Sequence, residues 1–221
     1  IARALPKRLD DAFGEVQPNL QLQSSWGSPI VFKQLPHITL TSVDQCRKKY
    51  IKVSGVVLEM DLYRPNDSSR CPATVIVVHG GSWNSGDSSQ LIGLNRYLAN
   101  KGYAVAAINY RLAPEYKFPN PCEDIKASID HLNDHAEDYN LEKGKIVILG
   151  RSSGGHLALL TGYMQMQSVC GVVALYAPTD LYWSWYRPAP RRLLDSNTLI
   201  RQFLGGTVGE VPLNLKSASP I

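Results

Sequence analysis

Four short runs of apolar residues are spaced along the middle of the chain, and polar or glycine-rich segments follow them. Both faces of each run are apolar, which is typical of parallel strands that helices cover on both sides. The segments between the runs have helical composition and spacing. We therefore predict strands at 73–78, 104–109, 145–149 and 171–176, with helices near 88–100, 121–138 and 153–166.

This alternation predicts a three-layer α/β/α domain, in which helices cover both faces of a mostly parallel sheet through right-handed crossovers. The functional site of such a domain is expected at the carboxyl ends of the strands. The middle helix has the clearest start, with Asn120 as cap, Pro121 at its first position and Glu123 in a capping box. Its apolar positions step by four, three and four residues, as on an amphipathic helix: Ile125, Ile129, Leu132 and Ala136.

Before and after this core the pattern changes. Residues 50–53 and 56–63 predict a hairpin that turns at Ser54-Gly55, and a further helix is predicted near 195–204. Residues 1–44 have weak periodicity and form an amino-terminal extension, whose first residues favour a surface helix over a juxtamembrane one. The domain itself is assigned to 45–221, with 181–204 as a cap or lid insertion after the sixth strand.

Composition narrows the function classes. The chain has 221 residues, 44% of them hydrophobic, and a net charge of +4. No basic stripe with interleaved aromatics is present, which argues against nucleic-acid binding, and no apolar stretch is long enough to span a bilayer. The four cysteines form no CxxC pair and show no metal-ligand spacing. We expect no metal ion.

The run at 145–149 ends in Gly150-Arg151-Ser152-Ser153-Gly154 and leads directly into a predicted helix. A strand, a Gly-x-Ser-x-Gly turn and a helix form the arrangement that raises a serine hydroxyl above a sheet for nucleophilic attack. Ser152 is therefore the candidate nucleophile. An ordinary glycine-rich turn is the alternative interpretation of this pentapeptide alone.

A second loop of this kind follows the run at 73–78 and reads His79-Gly80-Gly81-Ser82-Trp83. A serine nucleophile needs preorganised N–H groups to stabilise the negative charge of the tetrahedral intermediate. We assign this oxyanion hole to the backbone amides of Gly81, Ser82 and Ser153. Two glycine turns, each after a predicted buried strand, make a purely structural role the weaker interpretation.

Taken together, HGGSW, NYRLAPE (109–115), GRSSGGH (150–156) and YAPTD (176–180) resemble the hormone-sensitive-lipase-like branch of the α/β-hydrolase carboxylesterases. The chain is similar in particular to bacterial esterases that carry HGGGW, DYRLAPE and GxSAGGH, from about Tyr50 to Ile221. The resemblance implies an α/β-hydrolase fold, no cofactor, and scaffold roles for Arg111 and Glu115. Ser82 and Ser153 depart from the family pattern, but each contributes only an N–H.

The resemblance also implies an acid after the seventh strand and a histidine after the eighth, and neither is assigned within this sequence. His79 belongs to the oxyanion loop, His156 follows Ser152 by one helical turn, and the others are His37, His131 and His135. Asp180, after the sixth strand, is a weaker alternative for the triad acid, against a role in holding its loop. A serine without a positioned base is a poor nucleophile, so these residues alone are expected to be nearly inert.

An α/β hydrolase that stopped after its sixth strand would leave an apolar sheet edge open. We therefore expect roughly 60 to 100 further residues after Ile221, from the usual size of such domains, or a second polypeptide that completes the sheet. In the cap, Tyr182, Trp183 and Trp185 are candidate pocket residues together with Trp83. Packing of the cap against the domain is the alternative role for the cap aromatics.

The sequence thus predicts a serine carboxylesterase that acts on small-molecule esters with small or medium acyl groups. One alternative is an amidase of the same fold, such as a formamidase. Another is a non-catalytic binding protein that retains the pocket. Oligomeric state, natural substrate and compartment are left open, with a cytoplasmic location or membrane association through a preceding segment both compatible with the sequence.

Overall fold

A computed structural model describes residues 42–66, 69–165, 167–190, 192 and 194–221. The predicted amino-terminal extension, apart from its last residues, lies outside this described part, as does His37. Among the described helices, none has the length and hydropathy needed to cross a bilayer.

The described chain begins with the predicted hairpin, whose arms are longer than expected. Strand β1 spans Val43–Val53 and strand β2 spans Val56–Pro65, and the two pair antiparallel. Ser54 and Gly55 connect them, with φ angles of 50° and 79°. Two consecutive positive φ angles produce the tight turn that matches the twist of a hairpin, so the predicted turn is confirmed.

The four predicted core strands are all present and continue the same sheet. They are β3 (Thr74–Val78), β4 (Ala104–Ile108), β5 (Ile146–Arg151) and β6 (Val169–Leu175). The strand order is β1-β2-β4-β3-β5-β6, and all pairs from β4 to β6 are parallel. Because β3 and β5 are direct neighbours, the loops that follow them meet at one edge of the sheet.

Helices cover both faces of this sheet, as predicted. The described helices are α1 (Ile92–Asn100), α2 (Asn120–Asp134), α3 (Ser153–Met164), α4 (Leu181–Tyr186), α5 (Ser196–Leu204) and α6 (Pro212–Ser217). Val75 and Val77 of β3 belong to the core on one face, whereas Ile76 and Val78 belong to the larger core on the other. Both faces of β3 are therefore buried, which explains why its sequence is apolar without alternation.

Two predicted helix starts are corrected. Helix α1 begins at Ile92 and not near 88, because Ser88 is tied to the sheet: its N–H donates to Asn109 Oδ1 (2.8 Å) and its hydroxyl to Asp61 (2.6 Å). Asn120 is not the cap of α2 but its first residue, and its side chain donates backwards to the Lys117 carbonyl. Glu123 forms an ion pair with Arg111 at 3.5 Å instead of completing a capping box.

Strand β6 is one edge of the described sheet and is less covered than the other parallel strands. Its side chains alternate between half-buried and exposed, and Val173 and Leu175 are 42% and 41% exposed. Within the described part of the chain, helix α3 packs on this strand. The prediction that β6 would be buried on both faces therefore holds only for one face of the strand.

Candidate active site

The turn between β5 and α3 holds Ser152 in an uncommon backbone conformation. Its φ and ψ angles are 53° and −126°, a region that costs a non-glycine residue on the order of 1–3 kcal/mol. The surrounding structure fixes the serine on both sides: its N–H donates to the Leu175 carbonyl (2.9 Å), and its own carbonyl accepts from the His156 N–H (3.0 Å). A constrained serine between a strand and a helix is the geometry of a nucleophile elbow.

Close backbone approach explains the glycine two residues after Ser152. A Cβ atom on Gly154 would overlap with the carbonyl oxygens of Val78 and His79, at the end of β3. On the opposite side of the contact, a Cβ on Gly80 would lie 2.9 Å from the Arg151 carbonyl oxygen and 3.4 Å from the Ser152 Cβ. The two glycine loops therefore touch, and the loop after β3 lies directly beside Ser152.

The three amides assigned to the oxyanion hole are free to donate hydrogen bonds to an oxyanion. Within the described residues, no hydrogen bond is donated by the N–H of Gly81, Ser82 or Ser153. Ser153 is also the first residue of helix α3, where the helix dipole adds positive potential. Ser82 and Ser153 line the cavity described below, whereas Gly81 does not. The Gly81 carbonyl instead accepts from Asn84 and Ser85 (3.1 and 3.0 Å) and closes the loop.

Ser82 has a φ angle of 54°. The bacterial esterases that the sequence resembles have glycine at this position. The left-handed conformation costs a residue with a Cβ roughly 1 kcal/mol. We expect Ser82→Gly to keep ester hydrolysis within about threefold of the original, because the N–H donor is retained. The free energy of unfolding, measured with urea, should change by less than about 1 kcal/mol, since relief of strain opposes the greater flexibility of glycine.

Ser82→Ala is the matched control for this exchange. Alanine removes the hydroxyl but keeps the Cβ and the strain, so any stabilisation seen with glycine should be absent with alanine. A loss of activity of 100-fold or more in Ser82→Ala would show that the hydroxyl acts in the reaction and would contradict a purely backbone role.

A cavity of about 370 Å³ opens above Ser152. Its walls include Ser82 and Ser153, with Trp83 and Trp183 as the aromatic members. Two other predicted pocket residues lie away from it. Tyr182 is 57% exposed and pairs with Tyr186 one helical turn later, while Trp185 packs partly buried against the core. The short helix α4 therefore presents only Trp183 of its aromatic side chains to the cavity.

Trp83 connects the oxyanion loop to the rest of the site. Its indole N–H donates to His156 Nδ1 (3.1 Å), and its ring stacks on Phe203 of α5 with a centroid distance of 4.8 Å. Because His156 Nδ1 accepts this bond, the proton of the neutral ring lies on Nε2, which donates to the Ala218 carbonyl (2.7 Å). Both nitrogens of His156 are thus occupied, and this ring does not serve as the base for Ser152.

Complete burial lowers the pKa of His156 from 6.5 to about 4, against a smaller raising effect of its bond to Ala218. His156 therefore becomes protonated near pH 6.5 in the unfolded chain, but only near pH 4 in the folded chain. The stabilising contribution of neutral His156 is complete above pH 6.5 and is lost as the pH falls towards 4. We expect on the order of 3 kcal/mol of stability to disappear across this window because of His156.

Urea unfolding at pH 7.5 and pH 5 measures this effect. His156→Gln should lower stability at pH 7.5 but follow a flatter pH profile than the original protein, so the difference between the two should shrink at pH 5. Parallel profiles for the two proteins would show that His156 is not the titrating group.

The other described histidines are also engaged elsewhere. His79 is buried, stacks on Tyr110 with a centroid distance of 4.3 Å and contacts the Gly80 carbonyl through Nδ1 (2.9 Å). Burial lowers its pKa. His131 and His135, on and after α2, stack on each other, and His131 Nε2 lies 3.0 Å from the Tyr139 hydroxyl. None of the four histidines in the described residues has the arrangement of a triad base.

Asp180, the weaker candidate for the triad acid, has a local role. Its Oδ1 accepts the Trp183 N–H (2.8 Å) and caps helix α4, and its carbonyl accepts the Ser184 hydroxyl (2.7 Å). This position favours the structural interpretation, in which Asp180 fixes the direction of the cap after β6.

Arg111 is buried behind the oxyanion loop and pairs with Asp124, whose role the sequence did not indicate. The guanidinium Nε lies 2.9 Å from both carboxylate oxygens, and Nη2 lies 2.8 Å from Oδ1. The same carboxylate also accepts the Arg111 backbone N–H (2.8 Å). Hydrogen bonding to Asp124 raises the pKa of Arg111. The expected scaffold role of Arg111 thus has a clear structural basis.

Several cavity residues were not found from the sequence. Leu181, Leu194, Leu199 and Ile200 supply much of the apolar wall, and Arg187 is its one charged member in the described part of the chain. The apolar spacing of α5 was the only signal for Leu199 and Ile200, and it also fits core packing. Nothing in the local sequence distinguishes Arg187 from an ordinary surface arginine.

The fold agrees with those of solved structures, and the sequence matches a known family. The sequence profile of the BD-FAE family matches residues 60–221. Esterase LipC of Mycobacterium tuberculosis is 30% identical over 177 residues, which are 73% of this chain and 43% of LipC. An arylesterase of Saccharolobus solfataricus is 32% identical over 123 residues, 55% of this chain and 40% of the arylesterase. The hyperthermophilic esterase of Pyrobaculum calidifontis superposes with a TM-score of 0.67 at 28% identity, covering 82% of this chain and 60% of its own.

A mostly parallel sheet with helices on both faces, together with these neighbours, defines the protein as one of the α/β-hydrolase fold. Within that class, the chain belongs to the BD-FAE family. The matched regions span 43% and 40% of the two curated relatives.

Proposed function

We propose that the protein is a serine carboxylesterase that hydrolyses small or medium acyl esters. Ser152 attacks the ester carbonyl, and the amides of Gly81, Ser82 and Ser153 stabilise the oxyanion that forms. The observation that carries this proposal is the contact between the two glycine loops, which brings unpaired amides beside a conformationally constrained serine at the floor of an apolar cavity. The names of the relatives, esterase and arylesterase, support the same chemistry.

In this proposal the reaction needs no metal ion or organic cofactor, because acyl transfer to a serine is completed by a base and an oxyanion hole. The alcohol leaves as the acyl-serine forms, and water then attacks the acyl-serine to release the acid. We place the histidine base and its acid outside the described residues. His156 supports this placement, because it is neutral and both of its ring nitrogens are already hydrogen-bonded.

The test is turnover of p-nitrophenyl butyrate by the full-length protein, combined with a serine-directed phosphonate. Turnover that stops as one phosphonate becomes attached to Ser152, located by peptide mass analysis, is the expected result. Turnover without an adduct at Ser152 would contradict the proposed nucleophile.

An amidase of the same fold remains the second candidate, because nucleophile and oxyanion hole would be shared. Paired butyrate ester and butyramide substrates distinguish the two, and hydrolysis of the amide at a rate comparable with the ester would favour the amidase. A non-catalytic binding protein would give neither turnover nor a phosphonate adduct at Ser152.

A further inference from the structure

We propose that the esters taken by this site carry a carboxylate, which Arg187 binds. This inference rests on the proposed esterase function and specifies its substrate class. It starts from the charge of the cavity: Arg187 lines the same cavity as Ser152, and no acidic side chain of the described residues lines it. Among the described lining residues, a single positive charge in a largely apolar pocket favours an anionic group on the ligand.

Arg187 is exposed, and one aromatic ring contacts its guanidinium without neutralising it. Its central carbon lies 5.6 Å from the centroid of the Trp183 ring, a cation–π contact between two residues of the cavity wall. Within the described residues, Arg187 forms no ion pair. A planar guanidinium positioned in this way has its N–H donors free for a carboxylate, which it can bind with two parallel hydrogen bonds.

The acidic residues nearest in sequence are already used. Asp180 caps α4 through the Trp183 N–H (2.8 Å). Asp195 caps α5 and accepts from both the N–H and the hydroxyl of Thr198 (3.2 and 3.0 Å). Neither carboxylate forms an ion pair with Arg187 in the described residues, so the positive charge stays available to a bound ligand.

The rest of the wall fits a short hydrocarbon segment between the scissile ester and this charge. Leu181, Leu199 and Ile200 are apolar, and Ser152 and Ser82 mark the reacting end. Half esters of short dicarboxylic acids have this distribution of groups when the carboxylate is on the acyl side. Esters of short hydroxy acids have it when the carboxylate is on the alcohol side.

Two pairs of substrates distinguish these sources. For the acyl side, p-nitrophenyl hemiglutarate is compared with p-nitrophenyl pentanoate, which has the same chain length without the charge. For the alcohol side, the butyrate ester of glycolic acid is compared with propyl butyrate. In at least one pair, kcat/KM should favour the anionic ester about five- to tenfold, and added salt should reduce this preference.

Arg187→Gln should remove the preference, because kcat/KM for the anionic ester should fall about five- to tenfold more than kcat/KM for the neutral ester. Arg187→Lys should retain part of it, because the charge remains but the planar fork is lost. Arg192→Gln is the matched control, since Arg192 is an exposed arginine of the same segment that does not line the cavity. The proposal would be overturned if neither pair showed a preference for the anionic ester. It would also be overturned if Arg187→Gln lowered kcat/KM equally for charged and neutral esters, which would indicate that Arg187 only supports the Trp183 ring.

A binding measurement separates this proposal from the esterase proposal. Tryptophan fluorescence of the Ser152→Ala protein is titrated with monomethyl glutarate and with methyl pentanoate. Tighter binding of the anionic ligand that Arg187→Gln abolishes would support the charge site even if no ester were hydrolysed. Equal affinity within this pair, and also between the butyrate ester of glycolic acid and propyl butyrate, would overturn it even if p-nitrophenyl butyrate were an excellent substrate.

Discussion

Replacement of Ser152 by alanine is expected to lower kcat for p-nitrophenyl butyrate by at least about 10⁴-fold in the full-length protein. The hydroxyl is the only group proposed to form a bond with the acyl carbon, so its removal leaves just the oxyanion amides and the pocket. The substitution should preserve the fold. Alanine keeps the backbone bonds to Leu175 and His156, and it occupies the same volume at the Cβ. Far-ultraviolet circular dichroism and the thermal midpoint check that it does.

Ser153→Ala is the control for this prediction. The two serines are adjacent, but Ser153 is buried and is proposed to contribute only its N–H. Its replacement should leave kcat within a few-fold of the original. If Ser152→Ala kept more than about 1% of the activity, or if Ser153→Ala lost as much as Ser152→Ala, Ser152 would not be the nucleophile.

The parts of this site that could be predicted from sequence are those in which local backbone geometry restricts residue choice. Gly80 and Gly154 are needed where two backbone segments touch, and Ser152 lies at the end of an apolar run that is buried on a parallel sheet. The residues that meet these constraints fall in two short motifs beside apolar runs, although the backbone contacts themselves join segments more than 70 positions apart. These residues are therefore visible as motifs in the amino-acid sequence.

What could not be predicted depends on contacts between distant residues. The state of His156 is set by Trp83, 73 positions earlier, and by Ala218, 62 positions later. Asp124 is separated from Arg111 by 13 residues and is one of several acidic residues on α2. In each case many residues of the right type were available, and only the packing of the helices on the sheet selects one of them.

The same reasoning explains why only some of the aromatic residues predicted for the pocket after β6 line the cavity. An aromatic-rich segment predicts burial or ligand contact, but it does not define which side of a short helix faces inward. Asp180 is the N-cap of α4 and fixes where this helix begins. Trp183 and Tyr182 are exposed to nearly the same extent, 55% and 57%, but only Trp183 lines the cavity.

The second large effect is expected at Asp124. Asp124→Ala removes the buried partner of a guanidinium whose side chain is only 4% exposed, and in the described residues it leaves the exposed Glu123, at 3.5 Å, as the remaining carboxylate partner. Loss of the buried partner should cost about 3 kcal/mol, at the lower end of the cost of an uncompensated buried charge. For a domain of this size the thermal midpoint should fall by roughly 10 °C. Asp130→Ala on the same helix is the control, because Asp130 forms only an exposed pair with Lys126. Its loss should cost less than about 1 kcal/mol.

Activity below the melting transition should also fall in Asp124→Ala, because the segment that Arg111 anchors supports the oxyanion loop at two points. The Tyr110 hydroxyl donates to the His79 carbonyl (3.0 Å), and the Ala113 N–H donates to the Trp83 carbonyl (2.9 Å). Loosening this segment disturbs the amides that lie between those two carbonyls, so kcat should decrease with little change in KM. The double variant Arg111→Met/Asp124→Leu should recover stability relative to Asp124→Ala, since no charge remains buried. If Asp124→Ala melted within about 2 °C of the original protein, a shift well below the one expected for a buried charge, the buried pair would not be what fixes this segment beneath the site.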